Sequence, residues 1–154
     1  MSQTQINFAD IQAEKPTIEQ VTAEYEAINA ALDKAQTRID KEKALQQWED
    51  LRRRLDTWSA MTSLNFSQDT TNEAYQQAQS YSDRLKPQLT ALEVAMKQRL
   101  LDSSDRPEFE SILGQQAFSL WSADVTTFEP AIESDLVQES ELINQYVQLL
   151  ASAE

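Results

Sequence analysis

A single glycine, Gly114, occurs among the 154 residues, and this scarcity constrains the fold more than any other feature. Tight β-hairpins and phosphate-binding loops need glycine where the backbone takes a positive φ. Glutamine, glutamate, alanine and leucine are instead abundant, and these residues favour helices. No persistent strand-like alternation of apolar and polar residues occurs. The sequence therefore predicts an all-α protein.

Apolar residues recur at steps of three and four, the spacing of helices that bury one face. The first such stripe spans 18–39 and follows Thr17 and Gln20, which form a predicted capping box. The second predicts a helix over about 41–66. Both stripes keep a heptad-like spacing. They favour long helices packed side by side.

The later part of the chain predicts three more helical segments. Thr70 and Glu73 offer a capping box for a third helix reaching residue 101, which Pro87 should kink or divide. Asp105 is a predicted N-cap, and the following apolar face over 109–121 contains Gly114. A break at 126–130 precedes a last apolar stripe. We expect an elongated antiparallel bundle, with 1–16 as an irregular lead-in and 17–154 as one helical domain.

Charge excludes two classes of partner. The chain carries 26 acidic and 13 basic residues, a net charge of −13, and residues 107–154 contain no Lys or Arg. Nucleic-acid backbones and anionic lipid surfaces require clustered basic residues. We expect no nucleic-acid partner and no membrane. The basic run Arg52 to Arg54 is expected to form ion pairs with nearby carboxylates. The absence of cysteine and of a secretory signal favours a cytoplasmic location.

The residues for self-contained catalysis are missing. The sequence has no His and no Cys, which excludes Ser-His and Cys-His nucleophiles and the usual zinc sites. One glycine cannot build a phosphate-binding loop, and no EF-hand pattern is present. Carboxylate pairs four residues apart, such as Asp135 and Glu139, are typical of exposed helix faces. We expect no catalytic residue and no metal ligand in this chain.

The last helical stripe predicts a docking face. Leu142, Tyr146, Leu149 and Leu150 share one side of a helix, with no Gly, Lys or Arg to close its final turn. An apolar face near the end of the sequence would be covered by another part of a larger protein, or by a second copy in a homodimer. We therefore expect an exposed apolar patch there.

Several segments in order resemble the N-terminal helical region of oligoendopeptidase F-type zinc peptidases, within the thimet-oligopeptidase-like family. The resemblance covers roughly 8–153. It is carried by W-E-D-L-R-R-R from Trp48, D-T-T-N-E-A-Y-Q-Q-A-Q-S-Y from Asp69, L-K-P-Q-L-T-A-L-E from Leu85, F-E-S-I-L-G-Q-Q-A-F from Phe109, and the closing segment from Thr127.

This resemblance implies a non-catalytic N-terminal domain that helps to enclose a cavity for short peptides. The family's zinc site is an H-E-x-x-H helix far downstream, and no residue of this chain matches it. The expected partner is then the catalytic domain of the same enzyme. The alternative is a free-standing acidic helical adaptor that binds another protein, since sustained helical stripes also serve pairing between chains.

Overall fold

The structure, a computed structural model, describes residues 13–128 and 133–152, and within these ranges the chain forms helices and no strand. The prediction of an all-α protein is confirmed. None of the described helices is both long and apolar enough to cross a lipid bilayer. The six described helices are α1 Ile18–Lys34, α2 Arg38–Gln68, α3 Glu73–Asp102, α4 Arg106–Leu113, α5 Gln115–Thr127 and α6 Glu133–Ser152.

The start of α1 agrees with the sequence, but its end does not. Thr17 and Gln20 form the predicted capping box. The predicted continuation to Ile39 is wrong, because α1 ends at Lys34 and a second capping box, formed by Thr37 and Asp40, starts α2. The apolar spacing continues across this break by chance, so periodicity alone did not reveal it. Ile39 is consequently 63% exposed.

Two expectations for α3 are corrected. Its N-cap is Asn72, whose side-chain oxygen accepts hydrogen bonds from the backbone N–H groups of Ala74 and Tyr75, so Thr70 is not the cap. Pro87 does not divide the helix, which runs continuously from Glu73 to Asp102. A proline removes only one backbone donor, and the packing of α3 against its neighbours maintains the helix around a buried Pro87.

Gly114 separates α4 from α5 rather than lying within one apolar helix. Its φ of +92° and ψ of 138° lie in a region that residues with a Cβ rarely adopt. The change of direction here places Leu120 outside the core, with 62% of its surface exposed. The apolar face predicted over 109–121 included Leu120, and that placement is wrong, while Phe109 and Trp121 are buried as expected.

Ion pairs and aromatic contacts define how the helices run. Lys15 lies over the Tyr81 ring near the start of α1, and Arg99 binds Asp33 near its end, so α1 and α3 are parallel. Trp58 packs edge-on against Tyr81 with ring centroids 6.0 Å apart. Arg52, earlier in α2, pairs with Glu93, later in α3, at 3.3 Å. Together the two contacts show that α2 and α3 are antiparallel. At 1.5 Å per residue, α2 and α3 are each about 45 Å long, so the bundle is elongated.

The hydrophobic core lies among α1 to α5. The predicted apolar stripe of α2 is confirmed, since all its members are buried: Ala44, Trp48, Leu51, Leu55, Trp58 and Thr62. Trp48 packs edge-on against Trp121 at 5.4 Å, which joins α2 to α5. The core consists of Val21, Tyr25, Ile28, Leu32, Ala44, Leu45, Trp48, Leu51, Leu55, Met96, Leu100, Leu101, Phe109, Phe118 and Trp121.

Candidate docking interface

The last helix, α6, packs on α3, and among the side chains that the structure describes this contact includes a hydrogen bond between polar groups. Asn144 Nδ2 donates a hydrogen bond to Asp83 Oδ2. Gln79 Nε2 donates to Asp83 Oδ1 at 3.0 Å. Asp83 and Gln79 are only 8% and 9% exposed. Within the described ranges no Lys or Arg forms an ion pair with Asp83, so two amide groups satisfy this carboxylate.

The apolar side chains of α6 lie on the surface. We call Leu142, Ile143, Tyr146, Val147, Leu149 and Leu150 the apolar arc; their exposed fractions are 64%, 55%, 63%, 38%, 67% and 54%. Elsewhere among the described residues, the large hydrophobic side chains that are exposed are isolated along the sequence, at Ile39, Leu64 and Leu120. The apolar arc therefore forms an exposed patch of the kind that marks an interaction surface.

A groove runs between α6 and the turn that joins α2 to α3. Its volume is about 500 Å³, and five of its six lining residues carry an amide or a hydroxyl group. Gln76 Nε2 donates to the Thr70 carbonyl at 2.8 Å, which fixes one wall. The groove is lined by Thr70, Thr71, Gln76, Gln145, Gln148 and Leu149. It adjoins the edge of the apolar arc at Leu149, so an element that covers the arc would also meet polar groups.

Buried lysines elsewhere hold helices together. Lys97 Nζ on α3 lies 3.0 Å from Glu93 and 2.8 Å from Asp124 on α5. Burial opposes the charged form, but these hydrogen bonds outweigh it, so the pKa of Lys97 is raised. Lys41 on α2 pairs with Asp105 and Glu108 beside α4, and hydrogen bonds to both raise its pKa.

These lysine clusters are structural ion pairs and offer no reactive group. The carboxylates around Lys97 pair with its ammonium, and Glu93 pairs with Arg52 as well. No described group of Asp and Glu residues has the arrangement of a metal site. The whole sequence also lacks His and Cys. The residues of this chain therefore do not fit a zinc ion of the usual protein type.

The basic run on α2 behaves as the sequence predicts. Arg54 pairs with Glu24 at 2.6 Å, Arg53 with Asp50 at 3.5 Å, and Arg52 with Glu49 at 3.2 Å. Each guanidinium is therefore already matched by a carboxylate. The prediction of ion pairs at this run is confirmed.

The predicted docking residues lie together on one element. Leu142, Tyr146, Leu149 and Leu150 all belong to α6 and are more than half exposed. Their role in docking stays a prediction. Sequence reasoning missed Val147, which widens the arc, and the contact of Asn144 with Asp83. Helical spacing could have placed Asn144 opposite the arc, but nothing in the sequence marks Asp83 as a buried carboxylate.

Comparison with known protein families assigns the chain. The model for the family described as the Peptidase M3 N-terminal domain matches residues 8–128. The chain belongs to this family, and the resemblance identified from the sequence is confirmed. A search of curated proteins finds no match.

Solved structures agree with that assignment. The chain is 28% identical to a protein assigned as an oligoendopeptidase F, with a TM-score of 0.88 over 97% of this chain and 26% of that one. A protein assigned as an oligoendopeptidase F from Bacillus anthracis str. Ames is 27% identical, with a TM-score of 0.85 over 94% of this chain and 27% of that one. PZ peptidase A is 27% identical, with a TM-score of 0.81 over 91% of this chain and 25% of that one. The chain thus spans about a quarter of each of these proteins.

Proposed function

We propose that this chain is the non-catalytic N-terminal domain of a zinc-dependent oligoendopeptidase and forms part of the wall of its peptide-binding cavity. The observation that carries the proposal is the family match over 8–128, together with the close fold similarity to oligoendopeptidase F. Its partner is the catalytic part of the same enzyme, and short peptides are substrates of the whole. No finding favours the alternative of a free-standing adaptor. A cytoplasmic location belongs to the same proposal.

The division of labour follows from the residues present. Zinc, held elsewhere in the enzyme, would supply Lewis-acid activation of water. This chain supplies no ligand for that ion and no general base of the His type. Its contribution is to form part of the wall of the peptide-binding cavity. It does so through a helical bundle whose core is made of packed aromatic and aliphatic side chains. Enclosure of this kind limits the size of the peptide that can reach the reacting centre.

An activity assay with a quenched fluorescent peptide tests the proposal. The chain is assayed alone and mixed with the H-E-x-x-H-bearing part of an oligoendopeptidase F that lacks its own N-terminal quarter. Circular dichroism and zinc content establish that this part is folded and loaded. We expect cleavage only in the mixture. Absence of cleavage in every combination, with both parts folded, would contradict the proposal.

Zinc titration of the chain alone provides an independent check. A ligand raises the melting temperature only if it binds the folded state. We expect no shift on adding zinc, because the chain lacks the residues that hold it. An upward shift of several degrees would show a zinc site within these residues and would require a different division of labour.

A further inference from the structure

The apolar arc of α6 is largely exposed, and only its edge at Leu149 adjoins the bundle. With about 100° of rotation per residue in an α-helix, its six side chains span about 160°. A helix on a protein surface usually carries an apolar stripe of about 100° or somewhat more, turned toward the core. Asn144, which contacts Asp83 on α3, lies on the opposite side of the helix from the centre of the arc. The usual arrangement is therefore inverted over 141–150 of α6.

The family match indicates which protein surface could cover the apolar arc in relatives of this chain. The Peptidase M3 N-terminal domain match ends at residue 128, before α6 begins. The solved structures that share the fold are about four times as long as the matching region. A large protein surface therefore exists in these relatives that could cover the arc.

The charge on α6 indicates which kind of surface can cover the apolar arc. Glu139 lies about one turn before Leu142 and two turns before Tyr146 on the same side of α6, and it is exposed. No Lys or Arg follows residue 106, so α6 itself supplies no basic residue to pair with Glu139. In a two-fold dimer through this face, identical acidic helices would meet, and like charges would oppose association. An apolar surface with a basic residue at its edge complements the arc better than a second copy does.

We propose that α6 is a two-sided connecting helix. Its polar side rests on α3, and its apolar arc is buried in an apolar groove of the catalytic part of the peptidase, where a Lys or Arg faces Glu139. This inference rests on the proposed function and adds the element that joins the two parts. Accordingly, α6 belongs energetically to the interface, whereas the core of the N-terminal domain ends with α5.

Binding of charge-substituted variants tests the arc. The double variant Leu142→Asp with Tyr146→Asp is titrated against the H-E-x-x-H-bearing part, and Leu120→Asp on α5 is the matched control because Leu120 is similarly exposed. Removing apolar anchors at the centre of an interface weakens binding strongly, so we expect about a 100-fold loss for the double variant. The control should bind within about threefold of the wild-type chain, as substitutions outside an interface do. Equal binding by the double variant overturns the proposal.

Two further measurements keep the outcome interpretable. Thermal melting should give the same midpoint for the double variant and the wild-type chain, which separates lost binding from lost folding. Hydrogen exchange should show rapidly exchanging α6 amides in the chain alone and protected ones in the mixture, because the arc is buried only on docking. Slow exchange of α6 in the chain alone, equal to that of α2, overturns the proposal.

Charge reversal tests the basic residue of the partner. Glu139→Lys should weaken binding more than Glu139→Gln, and raising the salt concentration should reduce the difference. Equal binding by both variants overturns the assignment of a basic residue to the groove.

Failure of this inference differs from failure of the proposed function. Peptide cleavage in a mixture that contains the double variant, at the wild-type rate and with wild-type binding, removes α6 from the interface and leaves the function intact. A wild-type chain that neither binds nor restores cleavage overturns both. A stable dimer of the chain alone that the double variant dissociates overturns the inference in favour of a second copy.

Discussion

The five-helix bundle over 13–128 and the single helix α6 use opposite means of attachment. Core side chains such as Trp48 and Leu100, which are at most 1% exposed, hold the bundle together. In contrast, α6 is joined to α3 by a hydrogen bond from Asn144 to the buried carboxylate of Asp83, and its apolar arc is largely exposed. Apolar burial scales with area and contributes most to folding stability, whereas one hydrogen bond to a charged group contributes about 1.5–3 kcal/mol net.

This difference indicates which part of the chain provides most of its folding stability. An amphipathic helix normally adds to a domain by burying its apolar face. Because the apolar arc of α6 is largely exposed, removal or unfolding of α6 should cost the bundle little, while a substitution in the core should destabilise α1 to α5 together. The following predictions are ordered by the size of the expected effect, and each one tests this contrast.

The largest effect is expected for Leu100→Ala in α3. Leu100 is fully buried in the core, and truncating a buried leucine to alanine typically costs about 3 kcal/mol because a cavity remains. The exposed Leu120→Ala is the matched control and should change stability by no more than about 0.5 kcal/mol. Urea unfolding followed by circular dichroism gives both free energies. Similar values for the two variants would mean that the core does not lie among α1 to α5.

A smaller effect is expected for Gly114→Ala between α4 and α5. The backbone there has a φ of +92°, and no atom lies within 4 Å of the added Cβ. The cost is therefore one of backbone conformation alone, about 1–3 kcal/mol. Gly114→Asn should cost about as much, because asparagine tolerates the left-handed helical region but a ψ of 138° lies outside it. Unfolding midpoints of the two variants measure both costs, and a stabilised alanine variant would show that the helices can join without the bend.

Lys97→Met tests an ion-pair contribution to the bundle. The partners Glu93 and Asp124 remain 30% and 51% exposed, so solvent screening limits the expected loss at neutral pH to about 1 kcal/mol. The exposed Lys43→Met serves as the control and should have little effect at neutral pH.

The pH dependence of this loss has a definite sign. Since the pKa of Lys97 in the folded chain is raised above the ordinary 10.5, its contribution is complete below that value and is lost as the pH rises through the folded pKa. The pKa of Tyr25 is also raised, chiefly by burial, but it titrates in the wild-type chain and the variant alike. Thermal melts from pH 7 to 12 should therefore show the two curves converging at high pH. A constant difference would contradict the role of charge.

Much of the bundle could be predicted because its signals are local. The stripe of α2 and the capping box at Thr17 follow from spacing and from side chains that bind the nearest backbone groups. The predicted continuation to Ile39 failed because periodicity can bridge a break, although Thr37 and Asp40 carried the signal for a new helix. The undivided α3 depends on packing around Pro87, which sequence spacing does not contain.

The candidate interface was predicted only in part, because the side of a helix that faces the core depends on tertiary packing. Helical spacing grouped Leu142, Tyr146 and Leu150 on one side of a helix, but periodicity is identical whether that side faces the core or the solvent. The direction is set by a tertiary contact, the hydrogen bond of Asn144 with Asp83. Sixty-one residues separate these two side chains along the chain, so the sequence around α6 holds no trace of their contact.

The smallest effect is expected for Leu150→Asp, at the end of α6. Leu150 is 54% exposed, so its replacement removes little buried apolar surface. A negative charge near a helix C-terminus opposes the helix dipole, and the expected cost is about 0.5 kcal/mol. Leu150→Lys reverses that charge effect and should be neutral or slightly stabilising, so the average of the two variants isolates the contribution of burial. Urea unfolding of the chain alone measures both. A loss of several kcal/mol in both variants would place Leu150 inside the core of the isolated chain and would remove the contrast between α6 and the bundle.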